Sequence, residues 1–375
     1  MTTLNLSEKS INMSATRELA SKSLVQLYYS LLLSAGLYLS LLAFTTTCAN
    51  GLLLWTIYKN SKPYFRKPVT VLIAALALAD FLNGLIIDPL YASIYFSLYF
   101  KSISRSAYHR LAEVGMVFSV ITMNASYLIV LTLSCTQLIA ISFPYKQRTL
   151  ITIRSVSFAV VLVLAYSILF ALSYIMGIPV NLFQKLEVFL NMTGITVVLI
   201  AAYVCLQISY TRQRGKFRRL MTASKIQGQE ESRVHRDPNS VAGSRKVLMV
   251  NLLLIGCLLI TSLPVTVIWY LRLFSIKLRT ESQMLAYRNV ALVVDNFLFL
   301  KFLVDPFIYA WRMPKYRKAL RQTINFLFNC QARSARRQGS NTQNSLGTMI
   351  HMLSHRRMSS RQTRSLREVV EEDAV

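Results

Sequence analysis

Acidic residues are scarce in this 375-residue chain: 16 Asp and Glu stand against 42 Lys and Arg, a formal charge of +26. Charge of either sign amounts to only 15% of residues, while 54% are hydrophobic, which excludes an ordinary soluble protein of this size. Cysteine is sparse as well. Five residues, at 48, 135, 205, 257 and 330, show no metal-ligand or disulfide-framework spacing, and four of them sit within apolar runs. No nucleophile, metal cluster or acid–base pair marks an enzyme, and nothing calls for a cofactor. Also missing is a basic start followed by a short apolar core and a small-residue cleavage site. The first apolar span is therefore expected to act as its own targeting signal.

What the chain has is long apolar segments. Seven lie near or above the roughly 20 residues that a helical membrane span needs: 28–58, 68–97, 112–142, 153–179, 187–210, 247–274 and 286–311. The fold class expected is an all-α membrane protein, a seven-helix bundle. Basic residues alternate between the connections. Lys59, Lys62, Arg66 and Lys67 fill the first, and Lys146 and Arg148 the third. Residues 211–246 hold ten Lys or Arg against three acids, and the stretch from 312 holds thirteen against four. The other connections are leaner, with Lys101, Arg105 and Arg110, then Lys185, then Lys277, Arg279 and Arg288. Positive residues collect on the cytoplasmic side, so the N-terminus is expected outside and the tail inside. The same bias accounts for the basic charge without nucleic acid. Paired repeats with broken helices, the mark of many transporters, are not seen.

Polar residues inside spans are costly and invite functional readings. Span one carries Asn50-Gly51, and span two carries Asp80 after Leu76 and, further along, Asp88-Pro89. Span seven carries Asp295, Lys301 and Asp305-Pro306-Phe307-Ile308-Tyr309. Pro306 frees a backbone carbonyl and bends the helix, which lipid tolerates only where a neighbour satisfies the freed group. From Arg312 a basic amphipathic stretch reads as a short helix on the membrane surface, ending at Cys330.

Asp305-Pro-Phe-Ile-Tyr309, Leu76-x-x-x-Asp80 and the Asn50 of span one resemble the signature residues of rhodopsin-like G-protein-coupled receptors, over about residues 30–330. The resemblance implies a plasma-membrane receptor for an extracellular ligand that couples to a heterotrimeric G protein and arrestin. It places Asn50, Asp80, Ser126, Lys301 and Asp305 around the family's sodium site. Lys301 takes a position that is usually small and polar there, and is expected to act as a built-in cation. Its partner is expected at Asp305, one turn on at i,i+4, with Asp80 facing it. The resemblance gives activation and coupling roles to Gln137, Tyr203, Pro264, Pro306 and Tyr309.

The chain also departs from the family. Aligned on Pro144, the arginine that meets the G protein is Gln137, and the amine receptors' aspartate falls at Ser119. Ala112 stands at the helix-three cysteine, and 180–186 holds no partner cysteine. Span four lacks its tryptophan, with Tyr166 in its place; span five lacks its proline, and Ser262 replaces the toggle tryptophan. Tyr210 competes with Tyr203 for the family's inner tyrosine. These absences resemble the melanocortin-like branch, grouped with cannabinoid, lysolipid and adenosine receptors. The opsins' retinal-linking lysine falls at Phe299; Lys301 lies about 200° round the helix from it, which speaks against retinal.

Asp88, Glu113 and Asp295 fall in the outer thirds of their spans and are expected to contact a cationic or peptide ligand, or one bridged by a metal. Asn5 and Asn12 are glycosylation acceptors, Cys330 a palmitoylation site and Ser359, after Arg356-Arg357-Met358, a kinase site. The expected layout is an extracellular tail over 1–27, the seven-helix region over 28–311, the surface helix over 312–330 and a disordered tail over 331–375. The rival readings are a receptor that binds but signals poorly, since Gln137 has no guanidinium, and a transporter or channel.

Overall fold

The computed structural model describes residues 2–59, 67–143, 145–226, 238–275, 280–312 and 316–326. Side chains are described over 21–59, 67–143, 145–147, 149–212, 215, 248–274, 280–308 and 316–326. Every regular element among these residues is a helix. We label the seven long ones α1 (Thr2–Lys59), α2 (Pro68–Tyr99), α3 (Arg105–Ser142), α4 (Ile153–Ile175), α5 (Val180–Arg212), α6 (Pro238–Tyr270) and α7 (Glu281–Arg312). The α5 helix runs on to Ile226. Segments of α1 to α6 are each long and apolar enough to cross a membrane. Helix α7, at 32 residues, is as long but carries Asp295, Lys301 and Asp305. The chain is a multi-pass membrane protein built as a seven-helix bundle.

Helix ends follow local chemistry. Helix α1 begins inside the stretch expected as a tail, and no proline or glycine interrupts it before Gly36. Ser104 caps α3, its hydroxyl accepting from the Ala107 amide at 3.3 Å, and Thr152 and Ser155 cap α4 reciprocally. Helix α4 stops at Ile175, short of the expected 179. Gly177 takes the left-handed conformation (φ +98°), so Ile178 and Gly177 donate back to the Ser173 and Tyr174 carbonyls, each at 3.3 Å. Helix α5 then starts at Val180, with Pro179 at its cap, rather than at 187. Lys185 and Glu187 had lowered the apolar signal there.

Among the described residues three segments are π-helical: Asn83–Ile87 in α2, Glu187–Gly194 in α5 and Leu271–Ser275 after α6. The first directly precedes Asp88-Pro89, and Pro89 offers no amide to continue the regular pattern. The second lies in a helix that lacks the proline expected from the family resemblance.

Helix α1 packs on α2 and α7, α7 on α6, and α3 on α2, α4, α5 and α6, so α3 runs through the middle. The main core joins Leu72, Leu76, Ile129, Leu133, Leu254 and Leu258 from α2, α3 and α6. The α1–α2 crossing depends on Gly84: a Cβ there would stand 2.9 Å from the Thr46 side chain and 3.0 Å from the Thr47 amide nitrogen. Around Leu24 and Tyr28 α1 is tied to α7, where Arg288 donates to the Tyr28 hydroxyl at 2.9 Å and Asn289 to the Leu24 carbonyl at 3.2 Å.

Residues Met1–Arg317 form one compact unit and Lys318–Val375 another. A short helix covers 316–326. In the first unit the Tyr316 hydroxyl donates to Thr70 Oγ1 at 3.1 Å. In the second, Thr323 donates to the Ala319 carbonyl at 3.0 Å. Asn5, Asn12 and Tyr309 have no described side chains, and Pro144, Cys330 and Ser359 lie outside the described residues.

Candidate functional site

The polar centre of the bundle is built on α7. Residues 301 and 305 are one helical turn apart, so both side chains point to one face. Lys301 Nζ donates to Asp305 Oδ2 at 3.1 Å and, across to α3, to Ser126 Oγ at 2.5 Å. Asp80 Oδ1 on α2 stands 3.7 Å from the same ammonium, an ion-pair distance. All four side chains are at most 1% exposed. The nitrogen also lies 4.6 Å from the centre of the Phe302 ring. One cation thus bridges three helices and sits between two carboxylates.

Asn50 belongs to the same region but does not touch the ammonium. Its Nδ2 donates to the Phe302 carbonyl at 3.0 Å and to the Thr46 carbonyl at 3.1 Å. The Phe302 carbonyl is the acceptor that Pro306, four residues on, leaves without its helical amide. Helix α1 supplies the missing donor.

The residues expected to act in coupling are spread over α3, α5, α6 and α7. Gln137 is buried on α3. One turn back along α3, Ser134 donates to Asn251 Oδ1 on α6 at 3.2 Å, a neutral link between the two helices. The Tyr203 hydroxyl accepts from Gln207 at 3.4 Å, and its ring packs against the main core. Pro264 lies within α6 and Pro306 within α7.

The three outer acids have different surroundings. Asp88 is fully buried and accepts from Asn83 at 2.9 Å, whose carbonyl oxygen receives Thr122 from α3 at 3.4 Å. Glu113 is exposed. Asp295 is half-buried, within electrostatic reach of the Arg272 guanidinium.

A second polar network was not foreseen from the sequence. Glu187 Oε2, in the π segment of α5, accepts from Asn191 at 2.6 Å and from Asn124 of α3 at 3.3 Å. Asn191 Oδ1 in turn accepts from the Tyr166 hydroxyl of α4 at 2.7 Å. The pair Glu187 and Asn191, four apart in an apolar run, was the visible signal. The span expected over 187–210 begins at Glu187, whereas the helix begins at Val180 and carries the carboxylate seven residues in.

No family model matches the chain, and no curated protein does. Among solved structures, the crystal structure of squid rhodopsin superposes with a TM-score of 0.65, covering 80% of this chain and 87% of its own, at 16% identity. This chain has the rhodopsin fold. At that identity the likeness fixes the path of the seven helices and the central place of α3, and leaves the chemistry to this chain's own side chains.

Proposed function

We propose that this protein is a plasma-membrane receptor, N-terminus outside, that binds an extracellular ligand and signals through a heterotrimeric G protein. The observation that carries the reading is the Lys301 bridge. A bundle in which one buried ammonium holds α2, α3 and α7 together has a discrete packing that a ligand can bias. Seven helices of the rhodopsin fold, with a basic stretch over 211–246, support the same reading. Arrestin and the melanocortin-like cluster of relatives belong to it as further proposals, and so do glycosylation and lipidation.

Lys301 serves as a resident cation where the resemblance implies sodium. Asp88, Glu113 and Asp295 fall in the outer thirds of their spans, which favours a cationic ligand. A second reading, a receptor that binds but couples weakly, is favoured by Gln137 on α3, which cannot supply a guanidinium.

The deciding experiment reconstitutes the full chain with a panel of G proteins and follows nucleotide exchange against basic peptides, lipids and nucleosides. Ligand-driven exchange supports the receptor. Solute or ion flux through proteoliposomes, with no exchange, overturns it in favour of a transporter or channel.

A further inference from the structure

Glu187 is a carboxylate inside a membrane-spanning bundle with only neutral partners. Each side chain that touches it donates: the Asn191 and Asn124 amides both reach Oε2, at 2.6 and 3.3 Å. The Tyr166 hydroxyl fixes Asn191 by occupying its carbonyl oxygen, at 2.7 Å. Two donors and no acceptor are the arrangement that stabilises an anion; a neutral acid needs an acceptor for its own proton. An anion in this setting calls for a counter-charge. Among the described residues no cation stands within ion-pair distance of Glu187. Lys185, two positions back, lies over the Phe274 ring at 5.8 Å instead.

Three of the other intramembrane acids have a cation beside them, while Asp88 shares with Glu187 a neutral partner only. Asp80 and Asp305 share Lys301. Asp295 has Arg272 within electrostatic reach. Asp88 is sealed and held by Asn83 of its own helix. Glu187 alone joins half-burial to a network from three helices, and both of its hydrogen bonds fall on Oε2.

We propose that Glu187 is the anchor for the ammonium group of an organic ligand, which enters from the face on which α1 begins and pairs with Oε1. The assignment rests on the receptor reading above. Glu187 lies seven residues into α5, about 10 Å from its start, so the anchor is near that face and shallower than Lys301. A metal ion is the poorer occupant, since hard cations take six or more oxygen ligands and two of the groups here present amide nitrogen. No trio of metal-ligating side chains occurs among the described residues. The neighbouring positions of the same helix belong to an apolar and aromatic cluster. Val188 and Met192 pack with Met123, Val265 and Trp269, and the Phe189 ring stands 5.6 Å from Tyr270. The ligand carries an aryl or alkyl body on its ammonium.

The full chain in nanodiscs is titrated with 2-phenylethylammonium, and with 2-phenylethanol as the uncharged match, while the unfolding midpoint is followed. The ammonium is expected to raise the midpoint and the alcohol to leave it unchanged. Glu187→Gln is expected to weaken the ammonium's binding at least about tenfold, the weight of one charge-assisted hydrogen bond, and Glu187→Asp to retain part of it. Tyr166→Phe, which keeps the carboxylate but releases Asn191, is expected to fall between, and decides the matter should Glu187→Gln not fold. No shift in the wild type, an equal shift with the alcohol, or unchanged affinity in the variants overturns the site. Nucleotide exchange on the same preparations separates the two readings. A Glu187-dependent shift without exchange keeps the site and removes the receptor; exchange without that shift does the reverse.

Discussion

Asn50 of α1 donates, at 3.0 Å, to the Phe302 carbonyl of α7, the acceptor deprived of its helical amide by Pro306. A single carboxamide on a neighbouring helix makes a proline tolerable at the centre of a membrane span. The bond also fixes α7 where Lys301 can reach Asp80 and Ser126. Proline, asparagine and lysine therefore form one device rather than three separate features.

Removing the ammonium leaves two buried carboxylates facing each other. Lys301→Met is expected to cost about 3–5 kcal/mol and to cut surface expression sharply. Adding Asp80→Asn should restore part of it. If Lys301 stands in for sodium, ligand affinity in the wild type is insensitive to sodium, and the surviving Lys301→Met protein becomes sensitive. A normally folded single mutant whose affinity ignores sodium would remove Lys301 from this role.

Coupling should gain from a guanidinium at the inner end of α3. Gln137→Arg is expected to raise ligand-driven nucleotide exchange at unchanged expression, measured against the same G protein. An unchanged rate would show that coupling runs elsewhere.

The α1–α2 crossing has no room for a side chain at Gly84. Gly84→Leu is expected to cost about 1–3 kcal/mol by forcing the helices apart, read as a lower unfolding midpoint. Gly256→Ala, where a Cβ meets nothing within 4 Å, is the control and should be neutral or slightly stabilising. Equal midpoints for the two variants would show that the crossing is not tight.

Topology is tested directly. An epitope tag placed before Asn5 is expected to stain intact cells, the orientation that the basic residues on the alternate connections predict. Staining only after permeabilisation would reverse the orientation and with it the receptor reading.

Much of the architecture was legible in the sequence because the forces that set it are local. A run of apolar residues needs no partner to prefer lipid, and a basic connection needs none to prefer one side. The span count, the all-helical fold and the one-turn spacing of Lys301 and Asp305 follow from this. Helix ends were less legible, since Gly177 and Pro179 act through backbone geometry that hydropathy does not register.

The family resemblance brought Asn50, Asp80, Ser126, Lys301 and Asp305 into one region; only the tertiary structure decided which of their atoms meet, and that Glu187 meets Asn124. Asn50 and Phe302 are 252 positions apart, Lys301 and Ser126 175, and Asn124 and Glu187 63. No spacing rule reaches across such distances. Nor does the sequence say that a π segment without a proline turns Glu187 toward α3. A buried charge is stable only through partners, and in a helical bundle those partners come from other helices, so the meaning of each charge was fixed when the seven helices packed.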